Sequence, residues 1–397
     1  MNDRAKYKGR MAIYAMAGVY LLAQAYYMYK DIPTSSGTDK ILMSIFMVVF
    51  AVIGAGMVIM GVTKSYKAIK EDYNAVPEEE KKDAETSEGE EAAVEAKAEG
   101  ICHPIILGNE ERIEKLAKEL DLSLEGIEIV NLRHDREAER RERYAQILSQ
   151  KRAREGATYD EANDKMFERN YFGMMMVETG DADAFITGLY TKYSNTIKVA
   201  KEVIGIRPEY NHFGTMHILN SKKGTYFLAD TLINRHPDAS TLIDIAKLAD
   251  QTVRFFNHTP AIAMLSYSNF GSDQAGSPLK VHEAVAYMQK EYPELAIDGE
   301  MQVNFAMNRT LRDSKYPFTR LYGKDVNTLV FPNLSSANAG YQLLQAMDPD
   351  TEFIGPIQMG LNKPIHFTDI ESSVRDIVNI TAVAVIDAIV DKKKAGK

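Results

Sequence analysis

The sequence predicts an α/β domain built around a substantial parallel sheet, set behind two membrane-spanning helices. Three observations carry the prediction. After about Ala92, short apolar runs alternate with amphipathic stretches; several of those runs end in Gly, Ser or Asn just before a helical pattern; and two stretches near the N-terminus carry no charge. Strands that alternate with helices argue for parallel pairing. The ends of such strands are where these sheets build ligand clefts.

The uncharged stretches are residues 11–29 and 41–62. Each is long enough to cross a hydrocarbon core of about 30 Å at 1.5 Å per residue. Gln24 and several tyrosines dilute the first, although Tyr26, Tyr27 and Tyr29 suit an interfacial belt. A signal peptide would leave one short apolar stretch and a small-residue cleavage site. A second apolar segment so close behind favours a hairpin within residues 1–70. Gly54, Ala55 and Gly56 would let its helices approach closely. Arg4, Lys6, Lys8 and Arg10 precede the first helix, and Lys64, Lys67 and Lys70 follow the second. This positive bias places both termini and the soluble domain in the cytoplasm.

Residues 71–91 are acidic, poor in apolar side chains and broken by Pro77 and Gly89. Such a segment buries too little surface to order itself and reads as a disordered linker. Beyond it, residues 92–397 hold candidate strands at 103–108, 127–131, 182–189, 225–230, 261–268, 327–334 and 352–357. Helical patterns fill 109–120, 136–168, 193–203, 238–256, 278–291, 335–347 and 373–391.

A net charge of −9 over 397 residues argues against non-specific nucleic-acid binding. The single cysteine, Cys102, excludes an intrachain disulfide and sits among aliphatic residues, which suits a buried structural thiol. The histidines show no metal-ligand spacing, so no metal site is expected, and no Gly-x-Gly-x-x-Gly or Walker loop supports a nucleotide site.

Three segments could carry chemistry. In 261–277 an apolar run ends in Ser266, Ser268 and Asn269, then Gly271 and Ser272 precede a helix. Such a loop either turns backbone N–H groups toward an anion or is a tight turn that needs glycine. In 326–338 a strand ends at Pro332-Asn333 and Ser335 or Ser336 offers an N-cap. In 355–379 a turn-rich loop presents Lys363, either to a phosphate or to solvent, before Ser372-Ser373 open an amphipathic helix.

Taken together, LSYSNFGS (265–272), VFPNLSSANAGYQLLQ (330–345) and GPIQMGLNKPIHF (355–367) resemble the phosphate acetyl/butyryltransferase family. GDADAFITG (180–188), FLADTLIN (227–234) and IDGEMQ (297–302) support the resemblance, which runs from about Ala92 to Ala388. LSYSNFGS, LADTLIN and SSVRDIVN are most similar to the C-terminal domain of bacterial NADP-dependent malic enzymes. That domain is understood to sense acetyl-CoA rather than transfer acetyl groups.

The resemblance implies two α/β lobes of the isocitrate/isopropylmalate dehydrogenase-like type: lobe one at about 92–205 and 365–392, lobe two at about 206–364. It implies acetyl-CoA or another acyl-CoA and phosphate as ligands, bound between the lobes, and a homo-oligomer. In transferases of this family an aspartate is the base that lets the CoA thiolate attack acetyl phosphate, while arginine and serine stabilise the charged intermediate. Carried onto this chain, the base falls on Asp376 and the arginine clamps on Arg152 and Lys198. Ser266, Ser268, Asn269, Gly271, Ser272, Asn333, Lys363 and Ser373 fall among the binding positions. The chain departs from the pattern where a Ser-Arg pair is replaced by Asp369 and Ile370. An anion there repels phosphate, and Lys198 lacks the bidentate fork of arginine. It departs again in lacking the family's first strand. Three readings stay open: an acyl-CoA-sensing domain with weak or no transfer, a working phosphate acetyltransferase, and a non-catalytic oligomeric scaffold.

Overall fold

The structure, a computed structural model, describes residues 17–30, 32–34, 37, 40–57, 78–188, 193–348, 351–369 and 372–394, the side chains of 78–86 excepted. The chain divides into two compact units, Met1–Asp83 and Ala84–Lys397.

In the first unit, residues 17–30 and 40–57 are helical. They approach as the small residues predict: a Cβ at Gly54 would stand 2.9 Å from the carbonyl oxygen of Gly18. Two membrane-spanning helices are not supported. Among the described residues only Lys40–Met57 is long and apolar enough to cross a membrane. The described part of the first stretch rises roughly 21 Å at 1.5 Å per residue, and residues 11–16 lie outside the described residues.

α1 (Glu78–Ala98) begins before the boundary at Ala84 and runs into the second unit. The expected disordered linker is therefore overturned over 78–91, while 71–77 lie outside the described residues. Glu, Ala and Lys are strong helix formers. Ala92 packs with Ile377 and Val378 of α12 (Val374–Lys394), which supplies the apolar contact the linker composition seemed to lack. The described residues hold no strand before β1.

Three sheets follow. β1 (Ile105–Leu107) pairs in parallel with β2 (Glu128–Val130), and β3 (Phe185–Thr187) in parallel with β10 (Ile365–Phe367). The largest sheet contains β4 (Gly214–Ser221), β5 (Gly224–Ala229), β6 (Ile262–Leu265), β7 (Ile297–Met301), β8 (Thr328–Val330) and β9 (Glu352–Met359). Its strand order is β7-β6-β8-β5-β4-β9. β7, β6, β8 and β5 run parallel, but β4 is antiparallel to both β5 and β9. This sheet is thus mixed rather than parallel throughout. The reason is local: β4 and β5 are joined by a turn too short for a crossover, closed by Gly224 at φ 132°.

Between the strands lie α2 (Glu110–Glu119), α3 (Ala138–Lys151), α4 (Tyr159–Lys165), α5 (Arg169–Thr179), α6 (Tyr193–Val203), α7 (Ala239–Phe255), α8 (Gly276–Glu291), α9 (Val303–Met307), α10 (Arg309–Lys315) and α11 (Leu334–Met347). The continuous helix expected over 136–168 breaks after Lys151. Gly156 takes the left-handed region at φ 84°, and Thr158 with Glu161 forms a capping box that restarts the chain as α4. One core gathers α5, α6 and β10 around Tyr144, Phe172 and Phe367. A second gathers the large sheet with α7 and α8 around Phe227, Leu242 and Met264, and α12 contributes Ile380 and Val383 to it.

The N-terminus of α7 provides a simple test of these local rules. Asp238 accepts from the Thr241 backbone N–H (2.8 Å) and hydroxyl (2.7 Å), and these bonds hold its carboxyl down at about 2. Asp238→Ala should cost about 1 kcal/mol at pH 7. A depressed carboxyl stabilises above its unfolded pKa, so the difference from wild type should fade as pH drops from about 4 to 2. Urea denaturation at both ends of that range checks it.

Candidate functional site

Where the two cores meet, β4, β5 and β9 face α6 and β10 across a polar cluster. Its anchor is Asp230, at the end of β5 and 3% exposed. One carboxylate oxygen accepts from the Thr215 N–H (2.9 Å) and hydroxyl (2.7 Å), and from the N–H groups of Leu232 and Ile233 (both 3.2 Å). The other accepts from Asn234 N–H and its side-chain amide, both at 2.7 Å. Through these donors the carboxylate organises the strand ends.

Beside it on β4, His217 shares a 2.8 Å hydrogen bond with Thr231 and stacks on Tyr341 at 4.5 Å between ring centroids. Burial lowers its pKa to about 4, so the imidazole is neutral at pH 7. Across the junction the hydroxyl of Tyr193 accepts from the Gln358 amide at 3.0 Å, and Gln358 in turn accepts from Phe367 N–H at 2.7 Å. Burial, followed by the charges of Asp230 and Asp369, holds the Tyr193 hydroxyl well above its ordinary range. Gly188 lets the chain pass here: a Cβ would fall 2.1 Å from the Thr368 carbonyl oxygen.

The serine-rich loop closes on itself as a second cluster. Ser268 and Ser272 hydroxyls lie 2.8 Å apart, and Ser268 also reaches Glu300 at 3.3 Å. Gly271, at φ 84°, donates its N–H to Glu300 at 2.5 Å, and Asn269 accepts from Gln302 N–H at 2.9 Å. The Ser266 N–H donates to the Met301 carbonyl at 2.9 Å. Of these five residues, Ser268 and Gly271 reach a carboxylate of the chain itself. Glu300 is fully buried, and its second oxygen lies 3.6 Å from His282.

The remaining residues singled out in the sequence fall elsewhere. Arg152 and Lys198 converge on Glu202: Lys198 stands 3.7 Å from its carboxylate, and Arg152 donates to its main-chain oxygen at 3.4 Å while pairing with Glu155. Burial would raise the Glu202 carboxyl, but hydrogen bonds from Tyr171 (2.5 Å) and Lys165 (3.1 Å) outweigh it and the pKa is lowered. Asn333 caps α11 by accepting from Ser336 N–H at 3.0 Å. Lys363 is exposed. Asp376 accepts from the Ser373 N–H (2.9 Å) and hydroxyl (2.7 Å) at the start of α12. The Asp369 N–H donates to Ser372 at 3.0 Å, and Ile370 lies outside the described residues. Sequence reading missed Glu300, Asp230, Tyr193 and Gln358; an acidic residue inside the apolar strand IDGEM was the available signal for the first.

A family model described as phosphate acetyl/butaryl transferase matches residues 78–385. The match begins upstream of Ala92, so α1 lies within it. The NADP-dependent malic enzyme of Escherichia coli K12 is 37% identical over 312 residues, 76% of this chain and 40% of the relative. The chain thus spans well under half the length of that relative. The phosphate acetyltransferase of Bacillus subtilis 168 is 32% identical over 289 residues, covering 73% of this chain and 88% of its own. Among solved structures, a phosphotransacetylase from Streptococcus pyogenes superposes with a TM-score of 0.68 at 32% identity, over 75% of this chain and 89% of the other. The EutD phosphotransacetylase of Staphylococcus aureus gives 0.67 at 29% identity, over 77% and 92%.

Proposed function

The chain belongs to the phosphate acetyl/butaryl transferase family, and we propose that its domain binds acetyl-CoA or a related acyl-CoA without efficient transfer to phosphate. It would serve as an acyl-CoA-sensing module of the kind the malic-enzyme resemblance implies. The observation that supports this reading is Asp369, which stands with Ile370 where the resemblance implies a Ser-Arg pair. An added anion where the resemblance implies a serine opposes phosphate by Coulomb repulsion.

Transfer would require the CoA thiol to lose its proton to a base, its sulfur to bond the acetyl carbonyl carbon, and the C–O bond to phosphate to break. Asp376 is the proposed base, with Arg152, Lys198 and Lys363 as the proposed phosphate-binding cations. The carboxylate of Asp376 already accepts two hydrogen bonds from Ser373. Lys198 is also drawn toward Glu202.

The test is to restore the charge pattern. Asp369→Ser with Ile370→Arg removes an anion and adds a forked cation. Acetyl-CoA formation from acetyl phosphate and CoA should rise about tenfold or more, since each 1.4 kcal/mol of transition-state stabilisation is worth tenfold. A folded double variant with no gain would remove Asp369 and Ile370 as the cause of weak transfer. If the wild type already turns over rapidly and Asp376→Asn abolishes that activity, the chain is a working transferase.

We also propose that Lys40–Met57 anchors the chain in a membrane with the domain on the cytoplasmic side. Its length and composition support this. Full-length protein should stay with membranes through carbonate extraction; recovery in the supernatant would contradict it.

A further inference from the structure

The lobe that carries β1 and β3 is split into two strand pairs. Among the described residues β1 pairs only with β2, and β3 only with β10. All three residues of β1 and all three of β3 line one cavity of about 610 Å³. Gly108 N–H donates to Val130 and Phe185 N–H to Pro364, each at 3.1 Å, on the paired sides. By strand alternation, Ile105, Leu107 and Ile186 turn their main-chain groups to the other side, where no strand lies among the described residues. Ala93 of α1, Met176 of α5, and Ile377 and Ala388 of α12 complete the lining. Backbone edges flanked by apolar helix faces are the surroundings of a central strand.

Glu90 of α1 also lines this cavity. It is 1% exposed, and neither carboxylate oxygen has a hydrogen-bond partner among the described residues. The other acidic groups there are already engaged: Asp183 with Lys392 at 2.6 Å, and Asp181 with Arg143 and Tyr144.

We propose that this slot accepts an extended segment of a second polypeptide as a strand between β1 and β3, with a Lys or Arg side chain meeting Glu90. The added strand joins the two pairs into one five-stranded sheet, and its β-branched residues meet the helices. Main-chain pairing supplies affinity, and the cation opposite Glu90 supplies selectivity. Burial pushes the Glu90 carboxyl up to about 7, and a cation beside it would draw that back down.

The probe is a fluorescein-labelled Thr-Val-Lys-Ile-Thr-Val peptide, titrated by anisotropy into the full-length protein. Two controls are the same peptide N-methylated at alternate residues and one with Glu in place of Lys. The parent peptide should bind, and both controls should bind at least about tenfold more weakly. Glu90→Gln should weaken the parent by about tenfold, the size of one charge-assisted hydrogen bond. Hydrogen exchange on the wild-type protein does not depend on how the variant folds. The amides of Ile105, Leu107 and Ile186 should slow when peptide is added, while those of β9 should not. Equal binding of the N-methylated peptide would mean an apolar cavity that takes no strand. That result, absent binding, or unchanged exchange at Ile105, Leu107 and Ile186 would overturn the proposal.

Discussion

Asp230→Ala should destabilise the domain by at least about 4 kcal/mol. Six donor contacts converge on the carboxylate, three of them at 2.7 Å; the two from Thr215 are buried and the four from Leu232, Ile233 and Asn234 part-buried. Each buried donor left without an acceptor costs about 1–3 kcal/mol, and water entering the gap recovers part of that loss. Loss of a connected buried network is among the few causes of such large effects. Urea denaturation beside Asp238→Ala gives the comparison, because a cap loss should be about fourfold smaller. A loss below about 1 kcal/mol for Asp230→Ala would mean that the network does not organise the strand ends. The same variant should weaken any ligand held at the lobe junction, since Thr215 and Asn234 lose their common anchor.

Glu90→Leu acts in the opposite direction. At pH 8 it should stabilise the domain by about 3 kcal/mol, the equivalent of a carboxyl raised from 4.5 to about 7. The sign follows from linkage. A carboxyl whose folded pKa lies above its unfolded value holds its proton more tightly in the native state. Its ionisation therefore penalises folding fully above about pH 7 and not at all below about 4.5. The gain from Glu90→Leu should shrink steeply between pH 8 and pH 4.5, as read by denaturation midpoints at the two values. A pH-independent gain would trace the effect to added apolar burial alone. A natural sequence that keeps so costly a carboxylate in the slot between β1 and β3 accords with a role in recognition, in line with the trade-off between stability and function.

The sequence showed most strands as predominantly apolar runs. β1, β2, β3, β6 and β8 fall within candidate runs, β5 and β9 overrun theirs by one and two residues, and α2, α6, α7, α8, α11 and α12 lie within a few residues of their expected limits. The three strands it did not show share a cause. β4 carries Thr215 and His217, β7 carries Asp298 and Glu300, and β10 carries His366, every one of them buried. Polar residues that face a cleft interrupt the apolar run by which a buried strand is recognised. Two of the strands that build the site, β4 and β10, were thus hidden, while β5 and β9 were visible. The serine-rich loop was legible because Gly and Ser at a strand end have a local turn signature. The Tyr193–Gln358 bond was not, since its partners lie 165 positions apart. The acidic composition of 71–91 misled for a related reason. Over 78–91 its ordering comes from helix propensity and from contacts of Ala92 with residues nearly three hundred positions away, which no local window contains.

The central claim, an acyl-CoA-binding domain with impaired transfer, is tested most directly by calorimetric titration of acetyl-CoA into the full-length protein in detergent micelles. Saturable heat at up to millimolar ligand is expected, together with little acetyl transfer to phosphate in the same preparation. No heat at millimolar acetyl-CoA, with the protein folded and its melting temperature unmoved by the ligand, would contradict it and leave the non-catalytic scaffold.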